Sequence, residues 1–319
     1  MLRRTPPLNA ATRAAFGRII ELVGPLLASV AGVERRLASP VQGALEFCDG
    51  LVAALPGPIE INRRAFAIDP LVHAFFSTAL DIDEMLGRSQ TLRDFLANPE
   101  FPAGEHFHAL FAARRREKRV MGLALQGEML RREVPQDLLY FSSHTLTAVA
   151  ADPQTTCHML RIAAFESLLN SFVARVDAIR LERQSLHAER DVERAQSRER
   201  HTNGAVSAEH RGKLADLDAR ILGLTESLQP DLLVDALAVL LLEPDKWLRL
   251  EPVKVRVDRN GVIADALHDP DGQDGSLSFP ELVGRDRRRY VVMLARIPRN
   301  EAERAVANIL DRQRRFIVI

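Results

Sequence analysis

Ile162, Phe165, Leu169, Phe172, Val176 and Ile179 recur in steps of three and four, and Leu186 rejoins the same lattice after Arg183 interrupts it. Past a polar stretch ending in His201-Thr202-Asn203-Gly204 the pattern resumes with Leu214, Leu217, Ile221, Leu224 and Leu228. Such steps put one apolar residue per helical turn on a single seam, and a seam that narrow is buried well only by another helix. Ile179 lies 25 residues before Gly204 and Leu228 lies 24 after it. The two seams therefore end at matching heights, as an antiparallel pair requires, and residues 155–228 read as a long helical hairpin.

Charge decides what surrounds that hairpin. From Arg180 to Arg200 acids and bases alternate densely, leaving no broad apolar face for a bundle core. A projecting intramolecular coiled-coil hairpin is the favoured expectation, and an intermolecular coiled coil giving a homodimer is the alternative. Residues 187–213 carry few seam hydrophobes and include Gly212, so this outer part is expected to fray or to be ordered by a partner. Arg194, Arg198, His201, Asn203 and His210 form the expected partner-binding surface there.

Residues 1–117 read as an all-helical unit with many breaks. Asn9 caps a helix over 9–38 that Gly24-Pro25 interrupts, and Ser39-Pro40 opens the next, since proline fits the first helical turn. Asp69-Pro70 starts a further helix, with short ones near 81–87 and 89–97 and another near 103–117. Residues 118–150 hold two glycines and a proline, which disfavour one helix and point to a small β element. Pro230 ends the hairpin, and a buried helix follows at 232–242. From 245 the period falls to two: Val253, Val255 and Val257 alternate with Lys254, Arg256 and Asp258, and Asn260-Gly261 turns into Val262-Ile263. Tyr290–Ile297 is a second strand, Asn300 caps a helix near 301–312, and 316–319 a last short strand. The expected fold is α+β and mainly α-helical, ending in a small α+β domain over 245–319.

The chain of 319 residues is 46% hydrophobic, long enough for substantial cores. Lys+Arg and Asp+Glu are both 43, so no global basic field draws in nucleic acid or an anionic membrane. The bases are nearly all arginine, a mark of a GC-rich, bacterial-type genome. Two distant cysteines, Cys48 and Cys157, fit a reducing, cytoplasmic compartment better than a disulfide scaffold. The longest apolar run, 232–242, spans about half a membrane and contains Asp235, so no transmembrane segment is expected.

Chemical motifs are sparse. Asp269, Asp271, Asp274 and Glu281 surround Gly272 and Gly275 in a stretch that resembles an EF-hand calcium loop, because calcium takes clustered hard oxygens around a glycine turn. One residue too many and strand-like flanks depart from that pattern. A calcium- or ligand-responsive regulator is therefore the second expectation, with calcium its one candidate cofactor. His106 and His108 would diverge on a helix, and Cys157-His158 are adjacent, so neither pair has the spacing of a zinc site. Ser142-Ser143-His144 and the acids Asp81, Asp83 and Glu84 are weak signals with ordinary structural explanations. No nucleophile elbow or phosphate loop occurs. Basic clusters at 114–119, 285–289 and 312–315 make an arginine-based nucleic-acid binder the third expectation, disfavoured because no aromatics interleave with them. The first expectation is a non-enzymatic interaction or scaffold protein with a protein partner at the hairpin.

Overall fold

The computed structural model describes residues 10–99, 104–126, 129–201, 208–258, 261–263, 275–284 and 288–316. The protein is α+β and mainly helical, with a six-stranded sheet. It divides into two compact units, Met1–Cys48 with Ala164–Trp247, and Asp49–Ala163 with Leu248–Ile319. Among the described residues no helix is long and apolar enough to cross a membrane.

The first unit is helical. It contains α1 (Ala10–Val23), a 3-10 turn at Pro25–Ser29, most of α2 (Val33–Ala53), the greater part of α7 (Pro153–His201), α8 (Ala208–Ser227) and α9 (Pro230–Leu242). Ser39-Pro40 does not open a helix as expected: Pro40 lies inside a continuous α2. Arg18 of α1 binds Glu166 of α7, with Nε 2.8 Å from the carboxylate, and Arg36 of α2 bridges Asp231 and Asp235 of α9. Phe165, Leu168, Leu169 and Phe172 are all buried, so this stretch of α7 packs on more than one side. From Val176 onward that changes, as described below.

The second unit is built on the sheet. Its helices are α3 (Arg63–Ile68), α4 (Pro70–Phe75), α5 (Ala79–Arg88), α6 (Gln90–Ala97) and α10 (Arg299–Phe316). Its strands are β1 (Ile59–Glu60), β2 (His106–Gln126), β3 (Met129–Ala150), β4 (Leu248–Val257), β5 (Gly275–Gly284) and β6 (Arg289–Pro298). The order is β3-β2-β6-β5-β4, antiparallel throughout, with β1 added parallel to β6. Two expectations are corrected here. Residues 106–117 are strand rather than helix, because Phe107, Ala109, Phe111 and Ala113 bury one face at period two. The β element at 118–150 and the strands after 245 are parts of one sheet rather than separate modules, joined where β2 pairs β6 from His106 to Ala113.

This sheet curls. Residues 261–263, just after β4, bond back to β3: Leu139 N–H donates to the Gly261 carbonyl at 2.8 Å, and Ile263 N–H to that of Asp137 at 2.7 Å. Val257 bridges Ile263, so the two sheet edges are tied together at that end. Gly261 has φ of 80°, and a Cβ there would lie 2.9 Å from the Leu139 carbonyl oxygen, so a side chain is excluded twice over. Phe75 of α4 stands against the inner face, its ring 5.1 Å from Phe111, 4.9 Å from Phe141 and 6.4 Å from Phe279. α10 covers α5 closely, and a Cβ at Gly87 would meet the Ala305 carbonyl oxygen at 2.6 Å.

Along the same face the apolar ladder gives way to charge at one level. Two residues beyond Ala113 on β2 comes Arg115, two before Val291 on β6 comes Arg289, and Glu281 of β5 pairs in register with both Val291 and Glu251. Glu281 is 1% exposed. Arg115 Nε lies 2.8 Å from its Oε1 as an ion pair without hydrogen-bond alignment, and an Arg289 guanidinium nitrogen lies 3.2 Å from its Oε2. Arg289 also reaches Glu251 at 2.7 Å, which Arg249 holds from the other side at 2.7 Å. The Glu281 hydrogen bond holds the Arg289 guanidinium above the ordinary arginine range, while the Arg249 bond holds Glu251 below the ordinary carboxylate range.

Candidate functional site

Two features of the molecule offer themselves: the pair of helices α7 and α8, and a cleft beside β3.

Between Val176 and Glu193 the shielded residues of α7 are Val176, Ile179, Arg183, Leu186, His187, Arg190 and Glu193, and all but His187 continue the 3-4 lattice. On α8 they are His210, Leu214, Leu217, Ile221, Leu224 and Ser227, and Leu228 continues the row just past its end. Every other residue of α7 from Val176 to Gln196, and every other residue of α8, is exposed. Leu186, Leu217 and Ile221 form one small cluster with Leu224 against it. Ion pairs run across: Glu182–Arg220 at 3.7 Å, Arg190–Asp218 and Arg194–Asp218 at 3.4 Å, and Lys213 with Glu193 at 2.9 Å. Numbers that rise on one helix fall on the other, so the two run antiparallel.

The outer part of this arm is pinned rather than bare. Glu193 occupies a seam position, where a carboxylate costs stability unless it is paired. It is 6% exposed and receives Lys213 on one oxygen and His210 Nε2, 3.2 Å away, on the other. The Glu193 hydrogen bond in turn raises the Lys213 ammonium above its ordinary range. Of the expected partner-binding residues, Arg194 and His210 thus sit in contacts across the arm. Asn203 lies outside the described residues, as do the side chains of Arg198 and His201. The 3-4 spacing marked Arg190, Glu193 and His210 as seam positions, but their polarity hid it.

The cleft has a volume of about 670 Å³ and lies between β3 and the helices α5 and α6. His144 is among its lining residues. Ser143 adopts φ of 55°, and the β2–β3 register shifts between Ala112 and Arg114, so a bulge lets both Phe141 and His144 face inward. The imidazole stacks on Phe76 with centroids 4.8 Å apart, and Nε2–H donates to the Phe75 carbonyl at 2.7 Å. Burial lowers the pKa of His144 below its ordinary value, partly offset by that bond. His108, on β2, is lowered by burial as well. The structure thus gathers Ser143, His144, Asp81 and Glu84, which are scattered in sequence, around one cleft. Both carboxylates are already engaged: Asp81 accepts from Thr78 N–H at 2.7 Å in a capping box, and Glu84 pairs with Arg88 at 2.7 Å. That arrangement holds structure together.

Two histidines whose burial lowers their pKa in the folded protein bind protons more readily when unfolded. Stability is therefore full above the ordinary histidine range and is lost as pH falls below about 6.5. Urea melts of the sheet unit at pH 7.5 and 5 should show a lower midpoint at pH 5, with His144→Phe flattening the difference. Equal pH dependence in the variant would contradict this account of His144.

The other sequence candidates are placed as follows. Glu281 lies in the charged layer, where a calcium ion would have to displace Arg115 and Arg289, and Asp269, Asp271 and Asp274 lie outside the described residues. Among the described residues no group of three or more His, Cys, Asp or Glu side chains is arranged to hold a metal. His106 and His108 are two apart on a strand and so share a face, contrary to the helical expectation; His106 Nδ1 lies 3.3 Å from Arg296, which also binds Glu60 at 2.8 Å. Of the arginine clusters, Arg115 and Arg289 do converge, but on Glu281, and Arg114 lies over the Tyr290 ring at 5.6 Å. Comparison with protein-family models finds no match, and neither does comparison with curated proteins or with solved structures.

Proposed function

We propose that this is a non-enzymatic interaction or scaffold protein whose recognition element is the α7–α8 arm, an antiparallel coiled-coil hairpin within one chain. The observation that carries it is how little of the arm is used internally. From Val176 to Gln196, roughly 32 Å at helical rise, one narrow row on α7 is shielded, as is one on α8, and the remaining faces lie open. A helix that serves only a core buries a broad stripe of about 100° or more; a helix that supports an interaction surface spends one face on its partner strand and leaves the rest to solvent. The Glu193–His210–Lys213 layer fits this role, since a buried polar group at a seam position fixes register at some cost in stability. A rigid, registered arm presents its outer surface with little ordering cost on binding.

The test is affinity capture from native lysate with the full chain and with a chain whose residues 187–213 are replaced by a short Gly-Ser turn. The full chain is expected to retain a stoichiometric partner protein that the shortened chain loses. Identical captures by both would assign the arm a purely structural role.

A further inference from the structure

In a two-helix pair the positions farthest from the seam are the most solvated and ordinarily the most charged. On α7 this is inverted. Ala178, Leu181, Ser185, Ala188, Val192 and Ala195 follow one another in alternating steps of three and four on the side opposite the seam, and all six are exposed. Leu181 is 68% exposed and Val192 57%. Every other exposed position from Ala178 to Ala195 is charged or an amide: Arg180, Glu182, Gln184, Glu189, Asp191 and Arg194. Charge has been kept off this row and placed on both its borders. General helix propensity would scatter alanine over all the exposed faces; here it is confined to a second heptad row of about 27 Å, two and a half heptads long.

The borders say what would fit. One side carries Asp177, Gln184 and Asp191, the other Glu182, Glu189 and Gln196 with Arg175 at its start. The four acids each touch a basic neighbour on the arm, yet each remains half exposed or more. A second copy of this row would set carboxylates and amides against carboxylates and amides in either direction, which destabilises pairing. We propose, building on the arm as recognition element, that this outer row docks a helix of another protein. That helix would carry its own apolar heptad row bordered by Lys or Arg, making a three-helix contact with α7 in the middle.

The probe is a labelled synthetic three-heptad peptide with a Leu/Ala row and Lys at both borders, titrated against the full chain by fluorescence anisotropy. A peptide with Glu at the borders is the comparison. Leu181→Asp with Val192→Asp should weaken the Lys peptide at least tenfold while the helical content of the chain is unchanged, since both side chains are exposed. Leu222→Asp, an exposed residue of α8 off the row, should have no effect. The direction is informative because the two aspartates add negative charge, so unspecific attraction of a cationic peptide would strengthen. Unchanged or tighter binding by the double variant overturns the proposal, as does equal binding of the Glu peptide or no binding at all. If the partner from lysate is lost on replacing 187–213 but kept by the double variant, the arm stands as recognition element and the outer row does not.

Discussion

Phe75→Ala is expected to destabilise the sheet unit by about 3–5 kcal/mol, the usual cost of emptying a large aromatic site. Phe75 is 1% exposed and packs against rings from three strands, edge-on to Phe141 and tilted to Phe111 and Phe279. Phe141 and Phe279 also contact each other at 5.5 Å, so these rings are held by their mutual contacts and cannot all close the gap. The loss should appear as a fall in melting temperature of ~10 °C or more for a unit of this size. Ile68→Ala provides the contrast on a neighbouring helix: Ile68 is 70% exposed, and its loss should stay within ~0.5 kcal/mol. A Phe75→Ala change as mild as Ile68→Ala would show that α4 is not seated against the sheet.

The second large effect concerns Glu281. Removing one partner of a buried ion pair leaves an uncompensated charge, and the cost is typically about 3–5 kcal/mol. Arg115→Met strips the cation from Oε1 and leaves the carboxylate 1% exposed with Arg289 alone. Adding Glu281→Leu removes the stranded charge, while Arg289 keeps Glu251. The double variant should therefore be more stable than Arg115→Met by itself, measured by urea denaturation. If the second change deepens the loss, the charged layer is not the closed network that its distances indicate.

The sequence was legible where periodicity was unmixed. Heptad spacing from Val176 to Leu186 and from Leu214 to Leu228 marks the shielded rows of both helices, and Asp69-Pro70 marks the start of α4 because a side-chain cap and a proline act locally. It misled where composition and period disagreed. Arg114-Arg115-Arg116-Glu117-Lys118 suits a helix surface, yet Phe107, Ala109, Phe111 and Ala113 alternate as a strand does, and pairing with β6 decides the matter. Pro40 reads as a helix start but lies inside α2. The bulge at Ser143 had no local signal, since a left-handed residue is expected to be Gly or Asn. Nor did the meeting of Arg115, Arg289 and Glu281, which depends on the register of three strands distant in sequence.

The proposed recognition element requires α7 and α8 to be partners within one chain. Spin labels on Ala188 and Ala215, both exposed and at matching heights on the two helices, would measure this by double electron–electron resonance. One narrow, short distance is expected, unchanged when labelled protein is diluted with unlabelled chain. A signal that fades on dilution would mean the seams pair between molecules, and a broad, long distribution would mean that they do not pair at all.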